Sequence, residues 1–119
     1  MNEKKIFKVF KALGEPSRLK IIKLLSQQSM CVCELSEVLD MSQPRVSQHL
    51  RTLKEVDLVY EERQGFWTYY KLDLDEMHKV LKEFHDFLGA DLNEIEGYEE
   101  IHHRLVNLPP KEEIKNKTK

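Results

Sequence analysis

The chain has 119 residues, 40% of them hydrophobic and 34% charged, with a net charge of −2; that length suits one compact domain. No apolar run nears the roughly 20 residues that span a bilayer, and the opening Met1-Asn-Glu-Lys-Lys-Ile lacks the apolar stretch and cleavage site of a secretory leader. A protein of the cytoplasm is expected, and two cysteines two residues apart make no disulfide framework; in a reducing compartment they read as metal-binding or redox thiols.

In chain order, Ile6, Phe10 and Leu13 recur at helical spacing over residues 4–13, with Phe7 and Val9 widening the stripe. Gly14 ends this helix. Pro16 suits the first turn of the next, where a missing N–H costs nothing. Leu19, Ile22 and Leu25 mark its apolar face, with Ile21 and Leu24 beside them. After a break at residues 29–33, a third helix runs to about Leu39 and is expected to bury Leu35, Val38 and Leu39. Asp40 and Met41 make a tight connection. Ser42 caps a fourth helix, Pro44 fits its first turn, and Val46, Leu50 and Leu53 line its inner face. Two short helices joined by a few residues, the second capped and amphipathic, form a helix-turn-helix.

Residues 58–63 and 66–72 are rich in β-branched and aromatic side chains around Gln64-Gly65. They predict a β-hairpin, and a hairpin in this place is a wing. Leu74, Met77, Leu81, Phe84 and Leu88 then repeat at three and four residues, a seam like that of a coiled coil. With Ile6 and Phe10 of the first helix, this seam is the expected homodimer interface. A last helix is expected over residues 98–105. The fold class is mainly α with a small β-hairpin, a winged helix-turn-helix dimerised through its terminal helices. Its domain spans residues 1–108, and a disordered tail covers 109–119.

Charge is unevenly spread. Residues 1–25 carry seven bases against two acids, and residues 72–108 carry ten acids against three bases. The first end suits phosphate and the second faces away from it, although charge alone favours a plain mixture of solvated helix faces. On the fourth helix Gln43, Arg45, Ser47, Gln48 and Arg51 point outward, and His49 is partly inward. Gln pairs with adenine, Arg with guanine, and Ser with several base edges in the major groove. Arg51 and Lys54, further along, suit phosphates. Ser42 at the cap and Arg63 and Gln64 on the wing complete the predicted surface for double-stranded operator DNA.

The segments Cys31-Val-Cys-Glu-Leu-Ser and Ser42-Gln-Pro-Arg-Val-Ser-Gln-His-Leu resemble the ArsR/SmtB family of metal-responsive repressors. Ala12-Leu-Gly-Glu-Pro-Ser-Arg-Leu and the hairpin around Arg63-Gln-Gly resemble it too, so the likeness covers about residues 6–88. It implies a homodimer that holds operator DNA until an inducer binds. It also implies that Cys31 and Cys33 are the thiols that sense trivalent arsenic or antimony, as in the arsenic-sensing branch.

Taken as residues, the two cysteines suit small buried hydrophobes as well as ligands. They stand at a helix start, where the dipole and the free N–H groups favour an anion, and soft sulfur selects thiophilic ions over magnesium or calcium. Positions two apart on a helix diverge by about 200°. One ion gripped by both thiols therefore has to unwind the first turn of the helix-turn-helix, which is a two-state element. Many arsenic sensors of the resembled family carry a third cysteine where Ser36 stands, so a third soft ligand has to come from a small external thiol or solvent. A thiol redox or persulfide sensor on the same pair is the alternative. His78 and His85, with Asp75 and Asp86 near, offer a rival zinc site, but their spacing is unlike that of the resembled family's zinc sensors, and polar residues beside a dimer seam are the favoured reading. His102 and His103 form a looser pair. Without a phosphate-cradling glycine loop or a nucleophile paired with a base, no enzyme is expected.

Overall fold

The structure is a computed structural model that describes residues 3–117. In chain order it has α1 (Glu3–Leu13), α2 (Pro16–Leu25), α3 (Val32–Leu39), α4 (Gln43–Glu55), β1 (Val59–Gln64), β2 (Trp67–Leu72), α5 (Leu74–Gly89), a single 3-10 turn (Leu92–Glu94), α6 (Glu99–Val106) and α7 (Lys111–Lys117). The described residues divide into two compact units, one up to Phe84 and the other from His85 onward. The sequence had suggested one body as far as residue 108.

The first unit is a winged helix-turn-helix. Its core joins Val9 and Ala12 of α1, Ile21, Ile22 and Leu25 of α2, Leu35 of α3, Val46, Leu50 and Leu53 of α4, Leu58 and Val59 at the hairpin, and Val80 of α5. Helix starts and stops follow local chemistry. The Glu15 carboxylate accepts the Arg18 N–H at 3.0 Å, with Pro16 in the first turn of α2. Burial is the largest influence on this carboxyl and works against the anion. The Arg18 backbone N–H and the charges of His49 and Arg18 outweigh it, so the group lies below its ordinary value. Between α3 and α4 the chain turns through Asp40, whose φ of 53° is left-handed. Short polar Asp tolerates that region. There the Ser36 hydroxyl donates to the Met41 carbonyl and the Met41 N–H to the Ser36 carbonyl at 3.2 Å.

The hairpin register pairs Val59 with Leu72 and Gln64 with Trp67. Its loop is therefore Gly65-Phe66, one residue later than the sequence suggested, because the left-handed position at φ 64° falls on Gly65 and two-residue hairpin loops favour such a residue. On its other edge β2 is bridged to the chain before α3: Tyr70 N–H donates to the Met30 carbonyl at 2.8 Å and Met30 N–H to the Tyr70 carbonyl at 3.2 Å.

Three faces differ from expectation. Val38 is 58% exposed and Leu19 55%, because Leu35 and the neighbouring Ile21 and Ile22 carry the burial of their helices. On α5, Val80 is wholly buried, Met77 packs on the core, and Phe84 meets the Phe10 ring edge-on at 4.7 Å between centroids. Leu74, Leu81 and Leu88 are exposed. The expected interface set thus splits. Ile6 is buried within the protomer, Phe10, Met77 and Phe84 pack partly inward, and three leucines spaced by seven face out.

In the second unit Phe87 and Tyr98 stack edge to face at 5.9 Å, and α6 is exposed throughout except at His102. Lys111–Lys117 is helical where an unstructured tail was expected. Glu112 and Glu113 lie in its first turn and Lys115 and Lys117 in its last, the arrangement that complements a helix dipole. The Pro110 carbonyl accepts the N–H groups of Glu113 and Ile114. Among the described residues no helix is long and apolar enough to cross a membrane.

Candidate nucleic-acid interface and cysteine pair

Helix α4 presents its polar side as one exposed strip. The Ser42 hydroxyl accepts the Arg45 N–H at 3.4 Å, so Ser42 is spent on the cap. Gln43, Arg45, Gln48 and Arg51 are exposed, and Ser47 is half-buried. The Arg51 guanidinium donates to Gln48 Oε1 at 3.1 Å. The Lys54 ammonium binds Glu61 of β1, and that hydrogen bond raises it above its ordinary value. Lys54 thereby ties the helix to the wing. At the wing tip Gln64 is exposed, and Arg63 Nε donates to the Gly65 carbonyl at 3.3 Å.

His49 is placed differently from the rest of the expected set. Its side chain is only 13% exposed. Nδ1 lies 3.3 Å from an Arg18 guanidinium nitrogen and 3.8 Å from the Glu15 carboxylate. Arg18 Nε in turn donates to the Ala12 carbonyl. His49 thus joins α4 to the start of α2 and is turned inward rather than outward. Glu15 and Arg18 were not singled out as functional from sequence. The segment Gly14-Glu-Pro contained the signal, because an acidic residue just before a helix-starting proline suits a cap.

The two thiols are free, Cys31 buried and Cys33 exposed. Cys31 is the N-cap of α3, with extended backbone at φ −88° and ψ 169°, and its N–H donates to Glu34 Oε1 at 3.0 Å. Cys33 lies in the first turn, and its Sγ accepts from Gln43 Nε2 at 3.6 Å. The two thiols thus stand in different settings, one buried at the N-cap and one exposed in the first turn. Two flanking links extend from the pair. Met30, just before Cys31, is bridged to the wing, and Cys33 is bonded to the first residue of α4. Among the described residues no three His, Cys, Asp or Glu side chains are grouped to hold a metal ion. The pair as it stands supplies two soft donors and no third.

A capped helix-turn-helix joined to a wing, with a polar outward strip on its second helix, defines a winged helix-turn-helix DNA-binding protein. Residues 15–61 match the family described as bacterial regulatory protein, arsR family. The chain is 39% identical over 79 residues to an uncharacterized HTH-type transcriptional regulator of Methanocaldococcus jannaschii, covering 66% of this chain and 89% of that one. It is 39% identical over 75 residues to an arsenical resistance operon repressor of Bacillus subtilis, covering 62% and 71%. A homodimeric winged helix-turn-helix domain from Mycobacterium bovis superposes with a TM-score of 0.58 at 28% identity, covering 70% of this chain and 80% of that domain. The chain belongs to the arsR family of bacterial regulatory proteins. It is a DNA-binding transcriptional repressor and not an enzyme.

Proposed function

We propose that this repressor leaves its operator when Cys31 and Cys33 take up a thiophilic metalloid, trivalent arsenic or antimony. The observation that carries the reading is the position of the pair between two links, Met30 to the wing and Cys33 to Gln43 of the reading helix. Soft sulfur suits such an ion. For both sulfurs to face one ion, the N-cap at Cys31 has to rotate out of its buried setting and the first turn of α3 has to open. Opening that turn withdraws the acceptor from Gln43 and pulls on the strand that pairs with β2. Both DNA-facing elements then lose the support that holds them in register. An external small thiol supplies the third soft ligand. The arsenical resistance function of the Bacillus subtilis relative supports the same inducer class.

In this reading the repressor acts as a homodimer on double-stranded DNA, one reading helix per half-site, with half-sites about 34–36 Å apart. Arg45 lies near the start of α4 and reads bases. Arg51, further along, contacts phosphate, as do Lys54 and Arg63. Arg45→Ala is expected to relax base preference by about 1–3 kcal/mol. Arg51→Ala is expected to weaken binding to every sequence and to flatten its salt dependence. Anisotropy titrations on the DNA upstream of the gene and on scrambled duplex, at several salt concentrations, separate the two effects. Unchanged affinity and specificity in both variants would place the reading surface elsewhere. Arsenite added to the wild-type complex under reducing conditions is expected to free the DNA, and peroxide without arsenite is not. Release by peroxide alone, with an internal disulfide seen by mass spectrometry, would favour redox sensing.

A further inference from the structure

The tip of the wing carries an aromatic side chain with no cover. Phe66, the second residue of the hairpin loop, is 98% exposed, and Trp67 beside it is 54% exposed. Single exposed apolar residues are ordinary on protein surfaces, but three features of its surroundings set Phe66 apart. The first is rigidity. Gln64 pairs with Trp67 across the loop and Gly65 supplies the left-handed turn, so Phe66 stands on a paired two-stranded post. The second is charge. The acids of β1 are each committed to a base, Glu61 to Lys54 and Glu62 to Lys71 at 2.7 Å. Arg63 meanwhile bonds to the Gly65 carbonyl, which brings its guanidinium to the tip. An exposed apolar ring and a cation therefore share the wing tip, with the carboxylates of β1 paired to bases, a combination that suits a polyanion. The third is attachment, because the Lys54–Glu61 pair fastens this post to the reading helix.

We propose that Phe66 is an apolar wedge that enters the minor groove beside each half-site and partly unstacks a base step, while Arg63 holds the flanking phosphates. Apolar side chains inserted between base steps kink the duplex and let it wrap more protein, and aromatic stacking on bases tolerates sequence. Phe66 would thus add affinity without reading a base, and would favour the flexible pyrimidine–purine steps that unstack readily. The proposal rests on the reading surface assigned to α4.

The test uses the full chain and duplex from upstream of the gene, with 2-aminopurine substituted in turn for each adenine beside the half-sites. Wild-type protein is expected to raise 2-aminopurine fluorescence at one flanking step per half-site. Phe66→Ala is expected to remove that signal and lower affinity about tenfold, equally at every salt concentration. Phe66→Leu keeps an apolar wedge and is expected to retain most of both. Arg63→Ala is expected to flatten the salt dependence by about one phosphate contact. Because Phe66 is almost wholly exposed, its replacement leaves the core untouched. Phe66→Ala binding within about twofold of wild type would overturn the wedge, as would weaker binding with the fluorescence rise intact. If Arg51→Ala still weakened binding in those cases, only the wedge would fall. If Arg51→Ala bound normally as well, the reading surface would fall with it.

Discussion

In the proposed homodimer, Leu74→Glu with Leu81→Glu is expected to leave a monomer and to lower operator affinity by more than about 100-fold. The two leucines are 52% and 49% exposed on α5, one heptad apart, and such a row seeks a partner helix. Phe7 on α1 is 65% exposed and is the remaining large apolar side chain of the first helix that faces outward. A carboxylate forced into a buried seam costs several kcal/mol. The loss on DNA follows from linkage, because joining two half-site binders raises avidity by about 100- to 10,000-fold. The substitutions avoid Phe84, whose contact with Phe10 stabilises the protomer itself. Sedimentation velocity checks assembly and circular dichroism checks that the monomer stays folded. A dimer that persisted would move the interface off α5.

Cys33→Ser is expected to bind the operator within about twofold of wild type and to ignore arsenite at concentrations that release the wild-type protein. The exposed serine hydroxyl still accepts from Gln43, so the link between α3 and α4 survives while the soft donor is gone. Cys31→Ser is expected to behave alike, because Ser is a good N-cap and the Glu34 carboxylate still holds the backbone N–H. Ser36→Cys gives a mixed result. A thiol at residue 36 lies one turn from Cys33 and strengthens the arsenite response. It also replaces the hydroxyl that donates to the Met41 carbonyl in the turn. A thiol is a weak donor, so operator affinity is expected to fall by about threefold to tenfold. A gel-shift series with and without arsenite reads both effects. Cysteine variants that still released DNA with arsenite would exclude the pair as the sensor.

Helix α4 was legible because its signals are local. Ser42 as cap, Pro44 in the first turn and Val46, Leu50 and Leu53 at four and three residues all agree, and each holds in the structure. The hairpin was legible from its β-branched and aromatic runs, but its loop shifted by one because the glycine's handedness, not the centre of the polar stretch, sets the turn. The α5 stripe was harder. Counting by threes and fours admits either residue 80 or residue 81 between Met77 and Phe84, and only packing against the core selects Val80 and leaves Leu81 outside. His49 raises the same difficulty. It flanks the buried face next to Leu50, and its inward turn depends on Arg18 and Glu15, more than thirty residues away along the chain. The links from Met30 to Tyr70 and from Cys33 to Gln43 had no sequence signature, since both join residues brought together by the fold.

Release from DNA by a metalloid depends above all on sulfur ligation by the cysteine pair. X-ray absorption at the arsenic edge, on wild-type protein loaded with one arsenite per protomer and freed of excess thiol, measures it directly. Two arsenic–sulfur bonds with one lighter neighbour are expected, rising to three sulfurs when glutathione is added, and both signals should be lost in the Cys31→Ser, Cys33→Ser double variant. Arsenic bound only to light atoms in the wild-type protein, or bound equally well by the double variant, would contradict sensing by Cys31 and Cys33.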